Sequence, residues 1–167
     1  MTKPDWRRVT VENGLASGFD DAWHEQWWFQ MEETGGNIIS SYRMRMVEAD
    51  AEHVVMEMPF QPAARQGTGV FAAGAIIQLA DVGATSVCFE WMKTHVEGAD
   101  RDNLPFPLSV QISTNLIRNT DHGKITSESR IIHGGRRMMV VESTVKDEDG
   151  RLLATVTSTH MVASRPA

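Results

Sequence analysis

The spacing of apolar positions changes three times along the chain, and each change marks a different element. In DDAWHEQWWFQMEET, Asp20 to Thr34, the residues Trp23, Trp27, Trp28 and Met31 recur at helical spacing on one side. Asp20 or Asp21 is placed to cap this helix and to put negative charge at the positive end of its dipole, and Gly35-Gly36 ends it. The apolar side predicts docking onto a core or a subunit interface. From Asn37 the period becomes two: Ile39, Ser41, Arg43 and Arg45 alternate with Ser40, Tyr42, Met44 and Met46. This predicts a strand, a turn around Glu48 to Ala51, and a second strand from His53 to Phe60 with Pro59 at its end.

The helical period returns in QGTGVFAAGAIIQLADVGATSVCFEWMK, Gln66 to Lys93. A loop containing Gly67 and Gly69 leads into a helix whose apolar positions (Ile76, Leu79, Val87 and Trp91, with small residues between them) form a wide stripe. Such a helix is wrapped by the rest of the chain. Gln78, Asp81 and Thr85 stack on one face of it, three and four residues apart. A carboxylate in that setting is costly to bury unless something uses or satisfies it.

A polar stretch from Glu97 to Asn103, closed by Pro105 and Pro107, predicts a loop. Four strands follow, Leu108 to Arg118, Lys124 to His133, Arg136 to Lys146 and Arg151 to Ala163, with Asp147-Glu148-Asp149-Gly150 as a hairpin turn. The order helix, two strands, long helix, four strands implies an α+β fold, an antiparallel sheet curled around one central helix. Residues 1–36 read as an N-terminal helical extension and 37–167 as the main domain.

Composition narrows the function. At 167 residues the chain is long enough for one domain with its own core. The net charge of −6 argues against general nucleic-acid binding. Gln78 and Asp81 interrupt the longest apolar run, so no membrane span is expected, and the N-terminus lacks the apolar core of a secretory signal. A single cysteine, Cys88, fits a reducing, cytoplasmic setting and reads as core rather than nucleophile. His122, His133 and His160 show no ligand spacing, so no metal is expected.

Two stretches resemble the hotdog-fold acyl-CoA thioesterases of the PaaI-like kind. GTGVFAAGAIIQLADVGAT is similar to their loop-plus-helix motif G-x-x-H-G-G-x-x-x-x-L-x-D. The block VQISTNLIRN with GKITSESRIIHGGRRMMVVESTVKDEDGRLLATVTSTHMV is similar to their sheet, with its G-R-R turn and D-x-D-G-R-L-x-A hairpin. The likeness runs from about Ser40 to Val162. It implies a hotdog fold with the first helix as an addition, working as a homodimer or a dimer of dimers. It further implies hydrolysis of an acyl-CoA thioester to free acid and CoA, with CoA as part of the substrate and no other cofactor.

The resemblance places the catalytic carboxylate on Asp81. Eight positions earlier is Ala73, whose backbone N–H would polarise the thioester carbonyl; fifteen earlier is Gln66, where related enzymes carry Asn or Gln. Thr85 falls where one branch holds the attacking water. The motif's His and first Gly are Ala72 and Ala73 here, and Gly74 is kept. N–H groups in a helix's first turn are unpaired and lie at its positive end, which suits a developing oxyanion. Asp81 would act as general base or as nucleophile. For the CoA phosphates the resemblance points to the turn Gly135, Arg136 and Arg137, with Arg118 on a neighbouring strand; guanidinium groups suit phosphate capture. The alternative is a non-catalytic acyl-CoA-binding protein on the same fold, suggested by the missing imidazole. A hydratase is disfavoured because no paired Asp and His is evident.

Overall fold

The computed structural model describes residues 9–33, 35–96 and 104–162. At the start of this region, Asn13 and Gly14 both adopt positive φ (51° and 84°), which two-residue hairpin turns require. They join β1 (Thr10–Glu12) to β2 (Leu15–Ser17), a hairpin absent from the expected order although Asn-Gly is a strong local signal for one. Three-residue strands show too little alternation to be seen by period alone.

Helix α1 (Asp21–Glu33) begins as expected, with Asp20 Oδ1 accepting the N–H of Trp23 at 2.7 Å. It ends at Gly35 and Gly36, whose left-handed backbone lets their N–H groups return to the carbonyls of Glu32 and Met31. Trp23 and Trp28 are buried. The Trp28 indole donates to the Met44 carbonyl at 2.7 Å, and His24 bridges the Asp20 carbonyl and the backbone of Met46. Burial holds the His24 imidazole below its ordinary pKa, so it sits there neutral.

The strand expected from Asn37 begins later. The Asn37 side chain accepts N–H bonds from Ile39 and Ser40, and this cap folds Ile38–Ser41 into a helical turn, α2. The chain extends only after Arg43, at φ 49°, has reversed it. Local capping thus overrides a short alternating pattern. Then come β3 (Arg45–Ala49), β4 (His53–Pro59), a 3-10 turn at Pro62–Ala64 and the long helix α3 (Ala73–His95). Strands β5 (Pro107–Leu116), β6 (Lys124–Gly134), β7 (Met138–Asp147) and β8 (Leu152–Val162) complete the chain, close to the expected bounds. The loop expected over Glu97 to Asn103, and the ends expected at Thr34 and Ala163, lie outside the described residues.

All eight strands form one antiparallel sheet in the order β1-β2-β3-β4-β6-β7-β8-β5, with α3 packed against its inner face. Inward positions alternate along the strands, giving a core of Met56, Met58, Ile125, Val141, Val145 and Leu153. The helix lies close to the sheet at Gly83, where a Cβ would be 2.7 Å from Ser129 Oγ. Ser129 and Ser143 meet that contact with small side chains and satisfy each other's hydroxyls at 2.8 Å. The small-residue half of α3 is therefore a packing device that seats the helix low on the sheet. Phe19 and Trp23 belong to the same core, so the N-terminal segment is built into the sheet and its packing. No helix among the described residues is long and apolar enough to cross a membrane.

Candidate active site

Asp81 is half-buried on α3 and faces the start of β5, where Ser109 Oγ donates to its Oδ1 at 2.5 Å. Ser109 sits beside a break in the β5–β8 register: it opposes His160, whereas the next paired residue is Gln111. The bulge sets the direction in which this end of β5 presents its side chains. Behind Ser109 lies the buried His160. Its Nδ1 is 3.4 Å from Ser109 Oγ, and its Nε2 is 2.9 Å from Ser158 Oγ. Burial pushes the His160 pKa down, against the opposing pull of the Pro107 carbonyl and the charge on Asp81. The partner of Asp81 is thus a hydroxyl backed by a neutral imidazole.

Asp81 and Ser109 open into a cavity of about 560 Å³. Along α3 it is lined by Asp81, Val82, Thr85, Ser86 and Phe89. Phe106, Leu108 and Ser109 form the β5 side, and Trp27, Met31 and residues Asn37 to Ile39 form the third wall. The four apolar residues expected on one side of α1 therefore divide. Trp23 and Trp28 anchor the helix, while Trp27 and Met31 face this space. Thr85 shares the cavity with Asp81, and among the described residues it makes no bond back to its own helix, unlike Ser86, which donates to the Val82 carbonyl at 2.8 Å.

The other expected residues are elsewhere in the chain. Ala73 opens α3 about 12 Å along the axis from Asp81, at 1.5 Å per residue. The N–H groups of Ala73 and Gly74 have no acceptor within the helix, and Gly74 is exposed. Gln66 is exposed in the preceding turn, where its amide donates to Thr68 Oγ1 at 2.9 Å. One chain alone thus brings Asp81 and Thr85 together and leaves Gln66, Ala73 and Gly74 apart from them.

The arginines also divide. Arg136 and Arg137 are exposed in the β6–β7 turn, which Gly135 closes by donating to the Met138 carbonyl. That turn lies at the Pro107 end of β5, since Val162, the partner of Pro107, donates to the Arg137 carbonyl. Arg118 lies past the other end of β5, roughly 30 Å away, and donates to the Leu152 carbonyl. Cys88 is buried, and burial together with the charge of Asp81 pushes its pKa up to about 12, as suits an inert core thiol. Among the described residues no group of three or more His, Cys, Asp or Glu side chains is placed to hold a metal.

Ser109 and His160 escape sequence reading. Both sit in alternating strand sequence with no spacing to set them apart, and only the fold carries β5 back to α3. Trp27 and Met31, four apart on α1, showed an apolar face but not what lies opposite it.

The chain belongs to the thioesterase superfamily, whose sequence profile matches residues 68–154, more than half of its length. A relative from Deinococcus radiodurans, provisionally named an esterase, is 28% identical over 132 residues, covering 79% of this chain and 77% of its own. Among solved structures, a thioesterase of Haemophilus influenzae superimposes with a TM-score of 0.70 at 17% identity, over 84% of this chain and 90% of that one. The Escherichia coli PaaI protein of the phenylacetic acid degradation operon gives 0.66 at 12% identity, over 84% and 95%. The architecture is accordingly the hotdog fold, and the protein is a thioesterase-family enzyme.

Proposed function

We propose that the protein hydrolyses an acyl-CoA thioester, with Asp81 as general base. The observation that carries this reading is a half-buried carboxylate at the edge of an apolar cavity, held by one oxygen through Ser109. The other oxygen of Asp81 is then available to a water. That water attacks the thioester carbon as its proton passes to Asp81; the tetrahedral oxyanion collapses, the C–S bond breaks, and the thiolate takes up a proton on leaving. Ser109 is the positioning residue that fixes the carboxylate, and Thr85 is placed to orient the water. His160, buried and neutral, supports Ser109 from behind.

In this reading the oxyanion is held by the first-turn N–H groups of Ala73 and Gly74, with Gln66 beside them. Their distance from Asp81 within one chain means that a second copy completes the site. Edge strand β5 supports such a pairing: Leu108, Val110, Ile112 and Leu116 are 40–55% exposed along it, at an edge that no other described strand pairs. The exposed guanidinium groups of Arg136 and Arg137 then hold CoA phosphates at the rim.

The test is thiol release from a panel of acyl-CoAs, with Asp81→Asn alongside. Collapse of turnover in the variant supports the assignment; full turnover in it overturns the mechanism. A single turnover in ¹⁸O-water separates base from nucleophile, because label entering the Asp81 side chain would require an acyl-aspartyl intermediate.

A further inference from the structure

Resting on the thioesterase reading, we infer that the acyl group taken by this site is an uncharged, medium-length hydrocarbon chain lying along α3. Two pairs of residues mark the length of the cavity along α3. Asp81 and Ser109 mark the reacting end. Phe89 and Phe106 mark the other, lining it with their rings packed edge to face and centroids 5.4 Å apart. Asp81 and Phe89 are eight residues apart on one helix, about 12 Å along its axis. An extended chain rising roughly 1.3 Å per carbon–carbon bond fills that length with about eight to ten carbons.

The walls decide the chemistry. Among the described residues Asp81 is the one ionisable side chain lining the cavity, and it is negative, so a second carboxylate on the acyl group would be buried beside it with no cation from those residues to meet it. Most polar groups between the two ends are already engaged. Ser86 donates to its own helix, and Asn37 spends its oxygen capping α2 and its amide on Met31 Sδ. The long wall opposite α3 is hydrocarbon and aromatic, made by Trp27, Met31, Ile38 and Ile39. It is fixed in place because α1 is tied to β3 and the turn before it through Trp28 and His24. The N-terminal helices thus act as part of a ruler for the acyl chain.

The experiment has two arms on one panel, saturated straight-chain CoA esters from two to sixteen carbons plus an ω-carboxylated ester of eight. The first arm is steady-state hydrolysis by the wild type, Phe89→Ala and Ile38→Trp. We expect kcat/KM to rise about fourfold per methylene, from ~0.8 kcal/mol for each one buried, and to level off near eight to ten carbons. The ω-carboxylated ester should be at least tenfold poorer than its methyl-ended equivalent. Phe89→Ala should move the optimum to longer chains and Ile38→Trp to shorter ones. The second arm is equilibrium binding of the same esters to Asp81→Asn, followed by tryptophan fluorescence.

Hydrolysis without chain-length dependence, a preference for the carboxylated ester, or an optimum unmoved by both substitutions overturns the inference and leaves the thioesterase reading standing. A fourfold-per-methylene ladder in Kd with no turnover by the wild type supports the inference and removes the thioesterase reading. Loss of the ladder in both arms overturns the inference outright.

Discussion

The Ser109 hydroxyl donates to the Asp81 carboxylate across 2.5 Å, joining edge strand β5 to the central helix over a separation of 28 residues. A hydrogen bond to a charged group is worth about 1.5–3 kcal/mol, so removing it should cost roughly ten- to a hundredfold in rate if it fixes the reacting carboxylate. Ser109→Ala is expected to lower kcat by that factor with KM little changed. Asp81→Asn should cost more, on the order of a hundred- to ten-thousandfold. A Ser109→Ala effect confined to stability, with kcat intact, would show that the contact only joins β5 to the helix.

Ala73 offers a direct test of the oxyanion site. Proline is well tolerated at the first position of a helix but has no N–H, and Ala72 already holds the extended backbone (φ −65°, ψ 137°) that a following proline requires. Ala73→Pro should therefore fold normally and lose about a hundred- to a thousandfold in kcat. Because Ala73 and Asp81 are far apart in one chain, co-expressing Ala73→Pro with Asp81→Asn should restore activity by giving mixed dimers one intact site, roughly a quarter of the wild-type rate under random two-fold pairing. Inactive mixed dimers would argue against a site built from two copies.

Gly83 tests how the helix is seated. A methyl group there meets Ser129 Oγ at 2.7 Å, so Gly83→Ala should destabilise the protein by about 1–3 kcal/mol through overpacking. Gly83→Ala with Ser129→Ala should recover part of that loss, since the second change removes the opposing hydroxyl. Urea unfolding of the two variants checks this, and equal stabilities would mean that the helix moves aside instead.

Two buried histidines predict acid sensitivity. Burial depresses the folded-state pKa of both His24 and His160, so the unfolded chain binds more protons and stability rises with pH. That stability is fully present above the unfolded pKa of about 6.5 and declines as pH falls below it, by up to about 1.4 kcal/mol per pH unit for each histidine. Thermal melts between pH 7.5 and pH 5 should show a falling Tm, with a shallower slope in His24→Gln. An unchanged slope in that variant would locate the sensitivity in other groups.

Periodicity, capping and turn residues were enough to place the long helix, the four closing strands and the first helix, because each follows from contacts within a few positions, and the order of those elements pointed to the wrapped-sheet fold. Asp81 was singled out by its place on the polar face of the helix together with the resemblance to the family motif. Local reading misled only where side chains compete with the pattern. The Asn37 cap turned an alternating stretch into a helical turn, and the Asn13-Gly14 hairpin was too short to show a period. Contact across the sheet is a different matter. That Ser109 meets Asp81, that Trp27 and Met31 enclose a cavity while Trp23 and Trp28 anchor the helix, and that Arg118 lies far from Arg136 are all set by the tertiary fold. Those pairs are distant in sequence, and β5 joins the sheet next to β8 rather than beside its neighbours in the chain. The sequence by itself determined which elements form and which carboxylate stands on the helix. Tertiary structure alone decided what that carboxylate touches and what shape of space lies before it, because packing, unlike helical or strand period, is a property of residues that meet only after the chain has folded.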